Sequence, residues 1–116
     1  MTFDDKARAL TELYAAFNRR EIERVLSALS PDVTWPNVLE KIELRGHAAV
    51  RAYWLAQFET IEPFVEPVEF DQRDDAVVVK VRQSVRIKAT GHVTESRVTH
   101  VYRFDDQDLV TSMVVG

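Results

Sequence analysis

The chain has 116 residues, a formal net charge of −4 and no cysteine. The length predicts a single domain over residues 1–116, and the absence of cysteine excludes disulfides, zinc–thiolate sites and thiol catalysis. An acidic chain is a poor match for nucleic-acid phosphates, and we find neither a signal-like N-terminus nor an apolar run of membrane-spanning length, so we expect a cytoplasmic protein without a nucleic-acid or membrane partner.

The first half of the chain predicts three helices. Asp4 and Asp5 can cap the first, whose apolar residues recur at spacings of three and four until about Asn18. A second, short helix is stopped by Pro31, because proline disfavours helical geometry in the residue before it. The third follows Gly46 and carries a wide aromatic stripe, so we expect this helix to cover a pocket as a lid.

The remaining segments predict strands and turns. A short strand covers residues 33–35, and residues 36–45 lack any clear period, which favours a loop over the pocket mouth. Pro63 and Pro67 bracket a strand that fits the edge of a sheet, where a missing N–H costs little. A last strand covers residues 109–115.

A long hairpin, residues 75–89 and 92–104, organises the sheet. Every second residue of its first strand lies on one face, and this face is apolar except for one glutamine. It comprises Val77, Val79, Val81, Gln83, Val85 and Ile87. The same face of the second strand contains His100. The opposite face is basic, through Lys80, Arg82, Arg86, Lys88, Arg97 and Arg103, and predicts a solvated surface paired with acidic neighbours or with a second subunit.

The order of these elements predicts an α+β fold, because helices and strands are segregated and do not alternate. Long strands twist and curl, so we expect a cone-shaped fold in which a curved antiparallel sheet, about four long strands plus a short one, is covered by three N-terminal helices. The concave face of such a sheet, covered by helices, predicts a pocket with Gln83 and His100 on its wall.

Four stretches carry a resemblance to a known superfamily. They are Asp32-Val33-Thr34-Trp35, the sequence LRGHAAVRAYW from Leu44 to Trp54, His100-Val101-Tyr102-Arg103-Phe104-Asp105, and Val110-Thr111-Ser112-Met113. In this order and spacing the chain resembles the nuclear transport factor 2-like superfamily, which includes SnoaL-like cyclases, ketosteroid isomerases and limonene epoxide hydrolases. The resemblance covers nearly the whole chain and implies the same cone-shaped fold, which hosts many unrelated activities.

The resemblance to ketosteroid isomerases also implies positions for site residues. Their carboxylate base falls on Asn37, their oxyanion-hole acid on His100, and their oxyanion-hole tyrosine near Leu13 or Tyr14. A carboxamide has no basic lone pair near neutral pH, so isomerase chemistry by that mechanism is not expected. Limonene epoxide hydrolases are less similar, since no second aspartate aligns with theirs.

His100, Asn37 and Tyr14 are the candidate catalytic residues. His100 is either a general acid/base or hydrogen-bond partner for a ligand, or a core histidine satisfied by Gln83, Tyr14 or a water. Asn37 either orients a ligand or caps a loop. Gln83 either orients a ligand or makes a structural hydrogen bond. The candidate ligand-binding residues are Gln83, Phe17, Trp35, Tyr53, Trp54, Phe58, Val85, Val98, Tyr102 and Met113.

Three functional hypotheses follow. The first is a SnoaL-like protein that binds a small, largely apolar molecule, with His100, Gln83 and Asn37 holding its polar end. The second is an isomerase, cyclase or hydratase with His100 as general acid/base, paired with Tyr14 or an acidic loop residue. The third is a homodimeric interaction module in which the pocket is vestigial and association occurs through the convex sheet face. No histidines share metal-ligand spacing, and no metal or cofactor is expected.

Overall fold

The computed structural model describes residues 1–38 and 40–116. In chain order the elements are α1 Phe3–Asn18, α2 Ile22–Ser27, β1 Leu29–Asn37, β2 Ile42–Arg45, α3 His47–Thr60, β3 Ile61–Arg73, β4 Ala76–Ile87, β5 Val93–Phe104 and β6 Val110–Val115. The described strands form one curved, unclosed sheet in the order β2-β1-β6-β5-β4-β3. The α+β class is therefore confirmed.

The sheet differs from the predicted one at β1 and β2. β1 runs from Leu29 and not from Val33, and part of the predicted loop is β2, which pairs with β1 through Thr34 and Arg45. β2 is mostly exposed, so its sequence has no apolar alternation to reveal it. β1 also lies parallel to β6, which makes the sheet mixed. Local periodicity does not encode the relative direction of strands distant in sequence.

The start of α1 is fixed by a capping box. Thr2 is the N-cap: its Oγ1 accepts a hydrogen bond from the Asp5 N–H at 3.1 Å, and an Asp5 carboxylate oxygen accepts from the Thr2 N–H at 3.1 Å. The Thr2 N–H lowers the pKa of the Asp5 carboxyl below its usual range. Asp5 is thus part of the cap as predicted, whereas Asp4 is not.

In the β4–β5 hairpin, the residues predicted to share the inward face of the sheet do so. Val79 pairs with His100, and Val81 pairs with Val98. Val77, Val79 and Val81 are fully buried beneath the helices, and the chain reverses at Gly91, whose φ is +75°. The inward face of β4 therefore forms the floor of the molecule under α1 and α3.

The convex face of the sheet holds rows of opposite charge. Lys80, Arg82, Arg86 and Arg103 form ion pairs with Glu69, Glu66, Glu62 and Asp75 respectively. These intrachain partners match the predicted surface of basic residues beside acidic neighbours. Within the described part of the chain, none of the helices combines the length and apolar character needed to cross a bilayer.

Candidate functional site

A cavity of about 470 Å³ lies between the concave sheet face and helices α1 and α3. Its described lining residues are Leu13, Tyr14, Phe17, Trp35, Pro36, Val38, Tyr53, Trp54, Gln57, Ile61, Pro63, Val65, Gln83, Val85, Ile87, Val98, His100, Tyr102, Met113 and Val115. None of these is an Asp, Glu, Lys or Arg. The wall is therefore apolar, with few polar groups.

The aromatic wall is built by contacts between α1, α3 and β1. Trp54 packs edge-on against Phe17 and against Trp35, with ring centroids 5.4 Å apart in both pairs. Trp35 in turn contacts Tyr102 of β5 at 6.3 Å. Side chains locked by such contacts hold the shape of the cavity.

Two predicted site residues do not line the cavity. The Asn37 side chain is 9% exposed and its Oδ1 accepts a hydrogen bond from the Glu40 N–H at 3.1 Å, so it caps the turn after β1. Phe58 packs against Phe17, and the Arg20 guanidinium lies over its ring at 4.5 Å. Each residue is occupied by a structural contact. All the other predicted site residues lie on the cavity wall.

A chain of hydrogen bonds connects three residues at the inner end of the cavity. The Tyr102 hydroxyl donates to the Tyr14 hydroxyl at 2.8 Å, and the Tyr14 oxygen lies 2.9 Å from His100 Nδ1. Tyr102 is completely buried and Tyr14 is 3% exposed. Tyr102 was predicted only as an apolar lining residue; its hydroxyl is in fact the first donor of this chain.

The hydrogen-bond chain favours one tautomer of His100. A neutral imidazole has one N–H and one lone pair, and a hydroxyl has one donor and two acceptor sites. With the Tyr14 oxygen accepting from Tyr102, the tautomer that gives the buried Tyr14 O–H an acceptor is the one with a free lone pair on Nδ1. We therefore assign the imidazole proton to Nε2.

The Nε2–H group faces the cavity. It has no protein hydrogen-bond partner among residues 1–38 and 40–116, and no fully buried side-chain nitrogen or oxygen of those residues is unpaired. Nε2 must therefore be reachable by solvent, and the cavity is the space that His100 lines. A small molecule with an oxygen at this point can accept this hydrogen bond.

Burial keeps all three groups uncharged. It lowers the pKa of His100 to about 4, so the imidazole is neutral at pH 7. It also raises the pKa of Tyr14 and the pKa of Tyr102 far above their ordinary range. Both hydroxyls therefore remain protonated donors.

Gln83 does not share the polar end formed by His100. His100 pairs with Val79, whereas Gln83 pairs with Ser96, so the two levels are four residues apart on β4, with Val81 between them on the same face. Four residues of strand correspond to about 13 Å. The prediction that His100, Gln83 and Asn37 converge on one end of a ligand is wrong. The alternation of residues along a strand gives the face of the sheet on which a side chain lies, but not its position along the cavity.

A second polar pair on the wall was not predicted. Gln57 Nε2 donates to the Tyr53 hydroxyl at 3.0 Å, one helical turn away on α3. Both residues occur in the apolar stripe of the third helix, and their spacing of four was the available signal. Among the described residues, no group of three His, Cys, Asp or Glu side chains is placed to hold a metal ion.

The architecture and sequence agree with known proteins. An NTF2-like protein of unknown function from Burkholderia pseudomallei is 27% identical, with a TM-score of 0.86 over 100% of this chain and 91% of its own. TerC, co-crystallised with polyporic acid, is 26% identical, with a TM-score of 0.83 over 96% of this chain and 89% of its own.

A Mycobacterium tuberculosis protein in complex with estradiol-17beta-hemisuccinate has the same fold, with 17% identity and a TM-score of 0.79 over 92% of this chain and 88% of its own. No curated protein sequence matches the chain. The model of the SnoaL-like domain matches residues 10–113, which is most of the sequence. The chain therefore belongs to the SnoaL-like domain family, within the NTF2-like fold.

Proposed function

We propose that this protein binds a small, largely apolar molecule in its cavity, with His100 Nε2–H donating a hydrogen bond to a carbonyl or hydroxyl oxygen of that molecule. The observation that carries the proposal is the unpaired Nε2–H on an apolar wall, with Nδ1 already engaged by Tyr14. In the open cavity this donor meets solvent, and a ligand oxygen takes the place of water in the hydrogen bond while the apolar body of the ligand packs against the wall.

The size of the cavity supports a ligand of two or three rings. Its volume of about 470 Å³ lies within the range of small-molecule sites. Trp35, Trp54 and Phe17 give flat apolar surfaces against which rings pack. TerC, which is 26% identical, was co-crystallised with the small organic molecule polyporic acid, and this relative supports the proposal.

The electrostatics of the wall favour a ligand that is uncharged at its inner end. No ionised side chain is found among the described lining residues, and His100 is neutral at pH 7. Moving a charged group from water into such surroundings without a counter-charge is strongly unfavourable. The preferred polar group is therefore a neutral oxygen.

The alternative, an enzyme with His100 as general acid/base, receives less support from the geometry. The Nδ1 lone pair is directed at Tyr14 and not at the cavity. A pKa of about 4 also makes the imidazole a weak base near neutral pH. Hydrogen-bond donation is the role that both features favour.

The test compares 4-acetylbiphenyl with 4-ethylbiphenyl, which lacks the carbonyl oxygen, by titration calorimetry. We expect the ketone to bind the wild-type protein about tenfold more tightly, because it pairs the Nε2–H. His100→Leu should bind both probes equally. His92→Leu, in the exposed turn after β4, is the matched control and should keep the preference. Failure of both probes to bind, or equal binding of the two probes by the wild-type protein, would contradict the proposal.

We also propose that the protein forms a homodimer through the convex sheet face. Phe64 is 53% exposed and Val68 is 51% exposed on β3. Phe64 points to the same side as Glu62 and Glu66, whose charges are already paired with arginines of β4. A second copy can cover these apolar side chains while the neighbouring Glu62 and Glu66 keep their arginine partners.

A further inference from the structure

Gln83 lies farther along the cavity than His100. On β4 it is four residues beyond Val79, the partner of His100, which corresponds to about 13 Å along the strand. Exposure of the inward face of β4 increases in this direction, from Val79 at 0% to Ile87 at 39%. The cavity therefore runs along β4, with His100 at its inner end and Gln83 towards the mouth.

The surroundings of Gln83 are almost entirely apolar. Its neighbours on the same face of β4 are Val81 and Val85, and it pairs with Val65 on β3, which is 8% exposed. On β5 it pairs with Ser96, an exposed residue. No hydrogen bond of the Gln83 carboxamide is found to Ser96 or to any other described residue.

A half-buried carboxamide in such a position has unmet hydrogen-bonding capacity. It offers two N–H donors and one carbonyl acceptor, and the cavity is the space that they line. The other carboxamide on the wall, Gln57, differs because its Nε2 donates to the Tyr53 hydroxyl. Among the described lining residues, Gln83 is therefore the carboxamide that has no protein hydrogen bond at all, whereas Gln57 has one N–H engaged.

We infer that Gln83 is a second polar contact for the ligand, so that the site takes elongated molecules with an oxygen at each end of an apolar body. One oxygen accepts from His100 Nε2–H, and the other meets the Gln83 carboxamide near the mouth. This inference rests on the proposed function and narrows its ligand class. A carboxamide both donates and accepts, so the outer oxygen is a hydroxyl or a carbonyl.

The probes are 4-acetylbiphenyl, with one oxygen, and 4-acetyl-4′-hydroxybiphenyl, with an oxygen at each end of two rings. Titration calorimetry should show the two-ended probe binding the wild-type protein about fivefold more tightly, because one further hydrogen bond forms. Gln83→Leu should remove this difference and leave the affinity for 4-acetylbiphenyl within about twofold of wild type. Retained binding of 4-acetylbiphenyl also shows that the variant is folded. If Gln83→Leu does not fold, Gln83→Met replaces it in the same experiment.

The matched control is Gln107→Leu, which removes an exposed carboxamide in the turn before β6, outside the cavity, and should keep the preference for the two-ended probe. Equal binding of the two probes by the wild-type protein would overturn the inference, as would a preference that survives in Gln83→Leu. Either result leaves the proposed function intact if 4-acetylbiphenyl is still preferred over 4-ethylbiphenyl. Loss of binding of every biphenyl probe to the wild-type protein would overturn both proposals.

Discussion

His100 shows how one buried side chain links stability to pH. Its folded-state pKa is about 4, against 6.5 for an ordinary histidine, because burial disfavours the imidazolium. Between these values the unfolded chain binds a proton that the folded chain does not. The free energy of unfolding therefore rises with pH across this window, and the contribution is lost as the pH falls through it.

The first prediction follows from that linkage. Between pH 6.5 and pH 4 the wild-type protein should lose about 3 kcal/mol of stability through His100. His100→Gln should lose less over the same range, because its side chain does not titrate. Urea denaturation at several pH values measures both slopes, and the exposed His92→Gln is the control, with the wild-type slope expected. An unchanged slope in His100→Gln would refute the assignment.

The second prediction concerns the hydrogen-bond chain. Tyr102→Phe leaves the buried Tyr14 oxygen without its donor and should reduce the free energy of unfolding by about 1–3 kcal/mol. The buried Tyr14 oxygen then gains a new donor if His100 carries its proton on Nδ1, so that tautomer should appear. Nitrogen-15 NMR of the imidazole reports the tautomer. Tyr53→Phe, at a half-buried hydroxyl outside the chain, should leave the tautomer unchanged.

The sequence could identify the inward residues but not their hydrogen bonds. Period-two alternation placed His100 and Gln83 on the concave face, because strand side chains alternate strictly between faces. Alternation alone could not identify the partner of His100, since Tyr14 lies 86 residues away; Tyr14 was one of three candidate partners, whereas the hydrogen bond of Tyr102, 88 residues from Tyr14, was not predicted. An aromatic residue in an apolar pattern gives no sign that its hydroxyl has a specific acceptor.

At the scale of elements, the end of α1 protects an edge of the sheet. β3 pairs only with β4 among the described strands, so its other side has open backbone groups. Asn18 Nδ2 donates to the Val65 carbonyl at 2.7 Å, and the Val65 N–H donates to Asn18 Oδ1 at 2.9 Å. Arg20 donates to the Pro63 carbonyl at 2.7 Å. These side chains take the place of a neighbouring strand.

The third prediction tests this protection. Asn18→Ala removes both hydrogen bonds to Val65, which is 8% exposed, and should lower the free energy of unfolding by about 1–3 kcal/mol. Chemical denaturation measures this change. Ser27→Ala, at an exposed hydroxyl that bonds only within its own turn, is the control and should stay within about 0.5 kcal/mol of wild type. Equal stability of the two variants would contradict the role given to Asn18.

Edge position was the element-scale feature that the sequence predicted best. Pro63 and Pro67 lack an N–H to donate, and β3 is an edge strand of the described sheet as they indicate. β2 was missed because a short, exposed strand needs no apolar alternation. The parallel pairing of β1 with β6 was missed because it joins distant segments.

At the scale of the molecule, the two faces of the sheet differ in the groups that are available to a binding partner. The concave face has unpaired polar groups inside an apolar wall, whereas the convex face has paired charges beside exposed apolar residues. Unpaired polar groups suit a small polar-ended ligand, and exposed apolar residues suit a protein surface. The cavity and the dimer face should therefore respond to different substitutions.

The fourth prediction separates the two faces. Light scattering should give twice the chain mass for the wild-type protein, and Phe64→Glu should give a monomer, because two glutamates would be forced into an apolar contact. Its affinity for 4-acetylbiphenyl should stay within about threefold of wild type, since Phe64 does not line the cavity. Leu55→Glu, at a residue of α3 with 51% exposure, is the control and should remain dimeric. A wild-type monomer would contradict the proposed dimer while leaving the cavity proposal in place, because Phe64 does not line the cavity.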